Sequence, residues 1–120
     1  LNLELIECHN TQESVYSFGY DFKNLNTLAQ AVLTENDTLA IALLKGLHEA
    51  AVKVPEDVRA IGRNDVTFSR YSIPSLTTIG FDIKAYAKTV IELMVKMLNE
   101  DTILTDRIML QTSLIKRDSA

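Results

Sequence analysis

The sequence is poor in the residues that would commit it to several classes of function. It holds one cysteine, Cys8, in 120 residues. A lone thiol excludes an intrachain disulfide and fits a reducing cytoplasm. No apolar run approaches the ~20 residues that span a membrane. No basic stretch leads an apolar segment, so a secretory signal is not expected. Positive charge is scarce as well: 12 Lys and Arg against 16 Asp and Glu leave a net charge of −4. Gripping nucleic acid takes clustered basic side chains, so this stretch is not expected to bind it directly. The four glycines never fall in the Gly-x-Gly-x-x-Gly spacing of a phosphate cradle. Internal repeats and low-complexity tracts are absent. What remains is the composition of one soluble domain, 47% hydrophobic. The chain starts at Leu1 rather than Met, which suggests a processed or excerpted chain.

The stretch from Val52 to Thr78 organises the rest. Pro55 with Glu56-Asp57 marks a loop, because proline cannot continue a helix from Ala51. Val58, Ala60 and Ile61 make a short apolar strand that stops at Gly62. The polar run Arg63-Asn64-Asp65 follows at once. Pro74 then delays the next extended segment, Leu76 to Ile79. A buried strand, a polar end, a loop and a second strand are the parts of a ligand crevice in an open α/β sheet.

Taken in order, Leu1, Leu3 and Leu5 alternate with polar residues, as in a half-buried strand. Asn10 with Glu13 reads as a capping box. Val15, Phe18, Phe22 and Leu25 then form one helical stripe. Gly19 inside it weakens the helix by ~1 kcal/mol relative to alanine. Gln30 to Thr34 is a second strand, ending in Glu35-Asn36-Asp37. Asp37 is a good N-cap for a helix that buries Ala40, Leu43, Leu44, Leu47 and Ala51. Lys45 and Glu49 lie outside, and His48 is expected to be solvated. Thr67 to Ser72 is a turn or short helix. Asp82 can cap a helix with an apolar stripe of Ile83, Ala87, Val90, Met94 and Met97 or Leu98. Glu100 to Asp106 is a polar turn, and Arg107 to Lys116 alternates as a final strand. This order predicts an α/β fold with a mostly parallel sheet and helices on both faces.

Three strands thus end in polar clusters: Cys8-His9-Asn10, Glu35-Asn36-Asp37 and Arg63-Asn64-Asp65. In a parallel sheet those ends share one rim, where ligands bind. Asn and Asp side chains can each engage two neighbouring hydroxyls, as sugar recognition requires. The plainer reading is that Asn36-Asp37 cap a helix and Asn64-Asp65 make a turn. Cys8 and His9 beside Asp37 or Asp65 fall short of the three or four spaced ligands of a zinc site. Nor are they a nucleophile pair, since adjacent strand residues face opposite ways. Nothing singles out Asp37 and Asp65 as an acid/base pair. No metal, cofactor or enzymatic activity is expected, and Met94 with Met97 reads as core or interface.

Val-Pro-Glu-Asp-Val, Ile-Gly-x-Asn-Asp and Pro-Ser-Leu-Thr-Thr stand here in that order, and the chain ends in Leu114-Ile115-Lys116-Arg117-Asp118-Ser119. The ordered set resembles the effector-binding domain of the lactose/galactose repressor family of bacterial transcription regulators. The resemblance spans roughly Leu1 to Ser119. It implies a periplasmic-binding-protein-like lobe, with residues 1–78 and 107–120 in one lobe and 79–106 forming a crossover and helix of the other. One strand-helix unit of the first lobe and most of the second would then lie outside this chain. The implied function is a cytoplasmic sugar sensor that forms a homodimer. It would reach operator DNA only through an N-terminal headpiece this chain lacks. A periplasmic-type sugar receptor of the same architecture is the alternative. Asn36 matches the family's ligand-contacting asparagine, followed by Asp37. Asn64 falls on a ligand-contacting acidic position, where asparagine resembles the galactose-type branch, and Asp65 follows it. Arg63 replaces an aromatic residue. Cys8 lies near where the family presents an arginine to the sugar. Phe81 lies where a glutamine is common, and it can stack on a sugar face or join the core. Ala51 stands where the family ends its helix on glycine, at a left-handed cap.

Overall fold

The computed structural model describes residues 4–9, 11–25, 29–99 and 107–120. Along the chain run α1 (Gln12–Tyr20), a 3-10 turn (Phe22–Asn24), β1 (Ala31–Leu33) and α2 (Asp37–Glu49). They are followed by β2 (Arg59–Arg63), a second 3-10 turn (Thr67–Arg70), β3 (Thr77–Phe81), α3 (Ile83–Leu98) and β4 (Thr112–Ile115). The strands form one sheet in the order β1-β2-β3-β4. The first three are parallel, with Ala31 opposite Arg59 and Ile61 opposite Thr77, and β4 runs antiparallel to β3. The fold is therefore α/β with a mostly parallel sheet.

The core is the apolar stripe of α2 set against β2 and its neighbours. Leu39, Ala40, Leu43, Leu44 and Leu47 are buried with Val15, Val52, Val58, Ala60 and Leu76. Burying a leucine of this kind contributes about 1.5–3 kcal/mol. Helix α1 lies on α2 at very short range. A Cβ on Gly46 would collide with the Tyr16 carbonyl and the Tyr20 amide, and one on Gly19 would reach the Leu43 carbonyl at 2.7 Å. Gly19 thus allows the two backbones to touch, which outweighs its low helix propensity. The Tyr16 hydroxyl also donates to Glu49 across this contact, and Lys45 pairs with Glu49 at 2.5 Å. Those bonds, from Lys45 first and then Tyr16, hold the Glu49 carboxyl below its usual range. The bond to Glu49 raises the Tyr16 phenol.

Several local expectations are corrected. The cap of α1 is Thr11, whose Oγ1 accepts from the Ser14 amide at 3.2 Å. Glu13 therefore sits one position too early for a capping box, and Asn10 lies outside the described residues. Leu25 lies beyond α1 and is 36% exposed. Residues 4–9 form no strand, and Leu5 is exposed; alternation alone supplies no ladder for the backbone. Residues 1–3 of that segment, like Glu100 to Asp106, lie outside the described residues. The last strand is shorter than its alternation suggests. Its partner β3 ends at Phe81, opposite Thr112, so among the described residues 107–111 have no strand to pair with.

Helix α2 is capped by Asn36 rather than Asp37, with Asn36 Oδ1 accepting from the Leu39 amide at 3.0 Å. At its other end Ala51 is exposed, not buried. Ala51 takes φ 53°, the left-handed conformation usually given to glycine. The Val52 amide bonds to the Leu47 carbonyl at 2.9 Å and the Ala51 amide to His48 at 3.0 Å. This is a complete Schellman ending. A left-handed alanine costs about 1–2 kcal/mol, partly offset by glycine's greater freedom when unfolded. Ala51→Gly is expected to stabilise the chain by about 0.5–1 kcal/mol in urea titration. A destabilised variant would contradict the assigned strain.

Helix α3 is different. Asp82 caps it, accepting from the Lys84 and Ala85 amides at 2.9 and 3.0 Å. Sixteen residues make a helix about 24 Å long, yet none is buried. Ile83, Ile91, Met94, Met97 and Leu98 are each more than half exposed. The molecule is accordingly long, 58 × 28 × 27 Å. So much wet apolar surface favours association. Light scattering at micromolar concentration should give a species larger than 13.4 kDa, and Ile91→Glu with Met94→Glu should shift it toward monomer. A wild-type monomer that unfolds cooperatively would refute this.

Candidate functional site

The parallel pairing decides where the polar ends go. Strands β1, β2 and β3 are adjacent and point the same way, so their carboxyl ends lie along one edge of the sheet. Asn36 follows β1, Asn64 follows β2, and Phe81 closes β3. These three share a rim, with Thr112 of β4 paired beside Phe81.

Their side chains are in different states. Asn36 spends its carbonyl oxygen on the α2 cap. Its amide nitrogen makes no hydrogen bond among the described residues and can still donate. Asn64 is exposed at φ 106°. Its backbone amide bonds to the Ile79 carbonyl at 2.8 Å, and its side-chain amide is uncommitted among the described residues. Phe81 is half-buried and meets Tyr86 edge-on, with ring centroids 5.7 Å apart. An uncommitted primary amide offers two donors and an acceptor, which suits a hydroxyl-bearing ligand.

Asp37 and Asp65 stand behind the rim, not on it. Asp37 is fully buried. Its Oδ2 accepts from the Val66 amide at 2.8 Å and from Ser69 Oγ at 2.6 Å, while Oδ1 accepts from Thr78 Oγ1. A carboxylate placed in the interior costs several kcal/mol unless its oxygens are bonded, and here each oxygen is. Gly62 makes the room: a Cβ there would land on Asp37 Oδ1. This is the physical content of the Ile-Gly-x-Asn-Asp wording. Asp65, at φ 52°, accepts from Arg117 Nη2 at 2.6 Å. Arg117 also donates to the Leu76 carbonyl at 2.7 Å.

Among the described residues no strand joins Cys8 to this rim. It is exposed in a shallow hollow lined by Glu7, Cys8, His9 and Ser14. A second hollow, between α2 and the Ser72–Ile73 turn, is lined by Ile41, Leu44, Lys45 and His48. Among the described residues no group of three His, Cys, Asp or Glu side chains could hold a metal, and no helix is long and apolar enough to cross a membrane.

Sequence reasoning gave no role to Thr77, Thr78, Arg117 and Ser119, which the fold makes central. Ser119 Oγ accepts from the Thr77 amide at 2.8 Å and donates to the Ala60 carbonyl at 2.6 Å. The signal was present: two threonines, both buried, stand in an otherwise apolar strand.

An open lobe of parallel strands with a polar rim at their carboxyl ends is a ligand-binding architecture. The family model of the periplasmic binding protein-like domain matches residues 3–120. The chain belongs to that family. Its relatives are LacI-family transcription regulators, as the ordered motifs imply. The ribose operon repressor of Escherichia coli (strain K12) is 31% identical over 91 residues, which are 76% of this chain and 28% of that protein. A LacI family regulator from Arthrobacter sp. FB24, solved in complex with lactose, superposes with a TM-score of 0.85 at 27% identity. It covers 97% of this chain and 44% of its own. One from Lactobacillus casei with bound sucrose has a TM-score of 0.79 at 27% identity, covering 92% of this chain and 41% of its own. The chain spans about three-tenths of the length of the curated relatives it matches.

The Asp37 network yields a direct test. Asp37→Ala strands Thr78, Ser69 and the Val66 amide without an acceptor and should cost about 3 kcal/mol or more. Denaturant midpoints measure it. A loss under about 1 kcal/mol would show that water satisfies those groups instead.

Proposed function

We propose that this chain is part of the effector-sensing domain of a bacterial transcription regulator, and that its effector is a sugar. The single observation that carries the reading is the rim of Asn36, Asn64 and Phe81 at the ends of three parallel strands. The free amide nitrogen of Asn36, the uncommitted amide of Asn64 and an aromatic ring are a fitting set for hydroxyls and a sugar face. Relatives solved with lactose and with sucrose support the ligand class. Asn36, Asn64 and Phe81 are the proposed contacts, with Asp37 and Asp65 as their supports. Cys8 belongs to the site only if its segment folds back toward the rim.

The rest of the reading follows. The relatives are regulators rather than enzymes, and we assign this chain no catalysis. It works in the cytoplasm, as regulators of bacterial genes do. Residues 1–78 and 107–120 form one lobe, and 79–106 reach into the other. The α2-centred core and the unburied α3 support that division. Sugar binding between lobes changes their relative angle, and through a homodimer the affinity of an N-terminal headpiece for operator DNA. The mechanism is a population shift, limited by how differently the sugar binds the two states.

A thermal-shift screen of the full-length protein against lactose, sucrose, galactose, glucose and ribose tests this, since native-state binding raises the midpoint by mass action. At least one sugar should do so. Asn64→Asp should then change the order of preference more than it changes the midpoint without sugar, because aspartate only accepts. A panel with no response would refute the sugar reading. An unchanged order would remove Asn64 from the site.

A further inference from the structure

Two consecutive non-glycine residues, Asn64 and Asp65, have positive φ, 106° and 52°. Such backbone is costly and persists only where the surroundings hold it. Here the surroundings can be named. The Asn64 amide bonds to the Ile79 carbonyl at 2.8 Å. The Asp65 amide reaches Thr78 Oγ1 at 3.4 Å, a long contact. The short one is charged: Arg117 Nη2 to Asp65 Oδ1 at 2.6 Å, with the two side chains only 13% and 23% exposed. Arg117 is itself fixed twice more, by Nη1 on the Leu76 carbonyl at 2.7 Å and by its amide on Thr77 Oγ1 at 2.9 Å. Gly80 leaves room for Asp65 on its other side, since a Cβ there would come within 3.1 Å of Asp65 Cβ.

We propose that Arg117 is a positioning residue for the rim: it clamps Asp65, and thereby holds Asn64 in the left-handed backbone that aims its amide. The link is geometric. Asn64 and Asp65 share a peptide plane, so fixing Asp65 fixes the plane on which the Asn64 side chain turns. Relaxed to negative φ, Asn64 would carry its Cβ to another side of the backbone. Planar guanidinium geometry suits the task, because one group must reach a carboxylate and a carbonyl together. Lysine, whose three donors radiate from one nitrogen, lacks that planar fork. The C-terminal segment thus acts on the rim from 53 positions away in sequence (117 minus 64). This inference rests on the reading of Asn64 as a sugar contact.

The test uses the full-length protein and two readouts. NMR scalar and residual dipolar couplings report φ at position 64 without any ligand. Calorimetric titration with lactose and with sucrose reports affinity. Arg117→Met keeps the apolar stem and removes the clamp, and Arg117→Lys keeps only the charge. Ser75→Ala is the control, since Ser75 anchors Asp118 at 2.6 Å and bonds neither Asp65 nor Arg117. In Arg117→Met, φ at Asn64 should leave the positive region and affinity for the bound sugar should fall about tenfold or more. Arg117→Lys should do the same in part. Ser75→Ala should lower the melting temperature while moving neither readout. Should Arg117→Met fail to fold, Arg117→Lys and Asp65→Asn carry the same two measurements. Unchanged φ in the folded variants overturns the proposal, as does an affinity loss that tracks melting temperature across all variants including Ser75→Ala. If neither sugar binds the wild-type protein, the sugar reading fails, while the couplings still decide the clamp.

Discussion

A carboxylate with no water around it must find donors inside the protein, and Asp37 is such a carboxylate. Its three donors come from two elements far from it in sequence: Val66 and Ser69 in the turn after β2, and Thr78 in β3. Any packing that separates those elements leaves a buried charge with empty lone pairs, at a cost of several kcal/mol. The start of α2 is therefore tied across β2 to β3, and β2 must carry glycine at position 62 to let the carboxylate through. Asn36 is the residue immediately before Asp37. Its place on the rim follows from that anchorage, as does the entry angle of the helix whose stripe forms the core.

A second set of contacts closes the sheet from the other end. The ladder between β3 and β4 is four residues long, on the short side for a strand. The tail beyond it makes up the difference. Ser119 bridges β2 and β3, Thr77 exchanges bonds with the Arg117 backbone, and Ser75 meets Asp118. These partners lie 40 or more residues apart, so each forms only after a large loop has closed. Among the described residues no buried side-chain polar atom lacks a partner. The two polar networks therefore rigidify the sheet rather than weaken it.

Much of this was legible in the sequence. The apolar period of α2 and α3, the strand before Asn64 and the Asn-Asp step before α2 are local signals, and each marks a real element. The shared rim followed from β-α alternation, which forces neighbouring strands to run parallel. The misses have two physical origins. Capping roles at Thr11 and Asn36 were displaced by one residue, because several small polar residues in a row can each cap a helix and only the tertiary entry angle selects one. The roles of Asp37, Asp65 and Arg117 were hidden because they depend on contacts between elements. An aspartate at a helix start reads the same whether it faces water or a buried threonine. Ala51 shows the converse: sequence marks it as a poor left-handed cap, and the surrounding Schellman bonds impose that conformation anyway.

Helix α3 brings the rim and the rest of the chain into one mechanical question. Its apolar stripe is strong, yet nothing among the described residues buries it, so the core does not fix its position as it fixes α2. Among the described residues, local contacts tie it to the sheet: the Asp82 cap and the edge contact of Phe81 with Tyr86. Phe81 is the last residue of β3, and it stands on the same rim as Asn36 and Asn64. A ligand that packs on Phe81 therefore presses on the ring that Tyr86 presses from the other element. Differential contact of that kind is the requirement for a ligand to shift a conformational equilibrium. The side-chain amides of the rim sit on an internally bonded sheet, while the aromatic ring sits where β3 passes to a helix with no buried residue. Recognition by the former and displacement at the latter is a division of labour that the distribution of buried contacts in this chain makes possible.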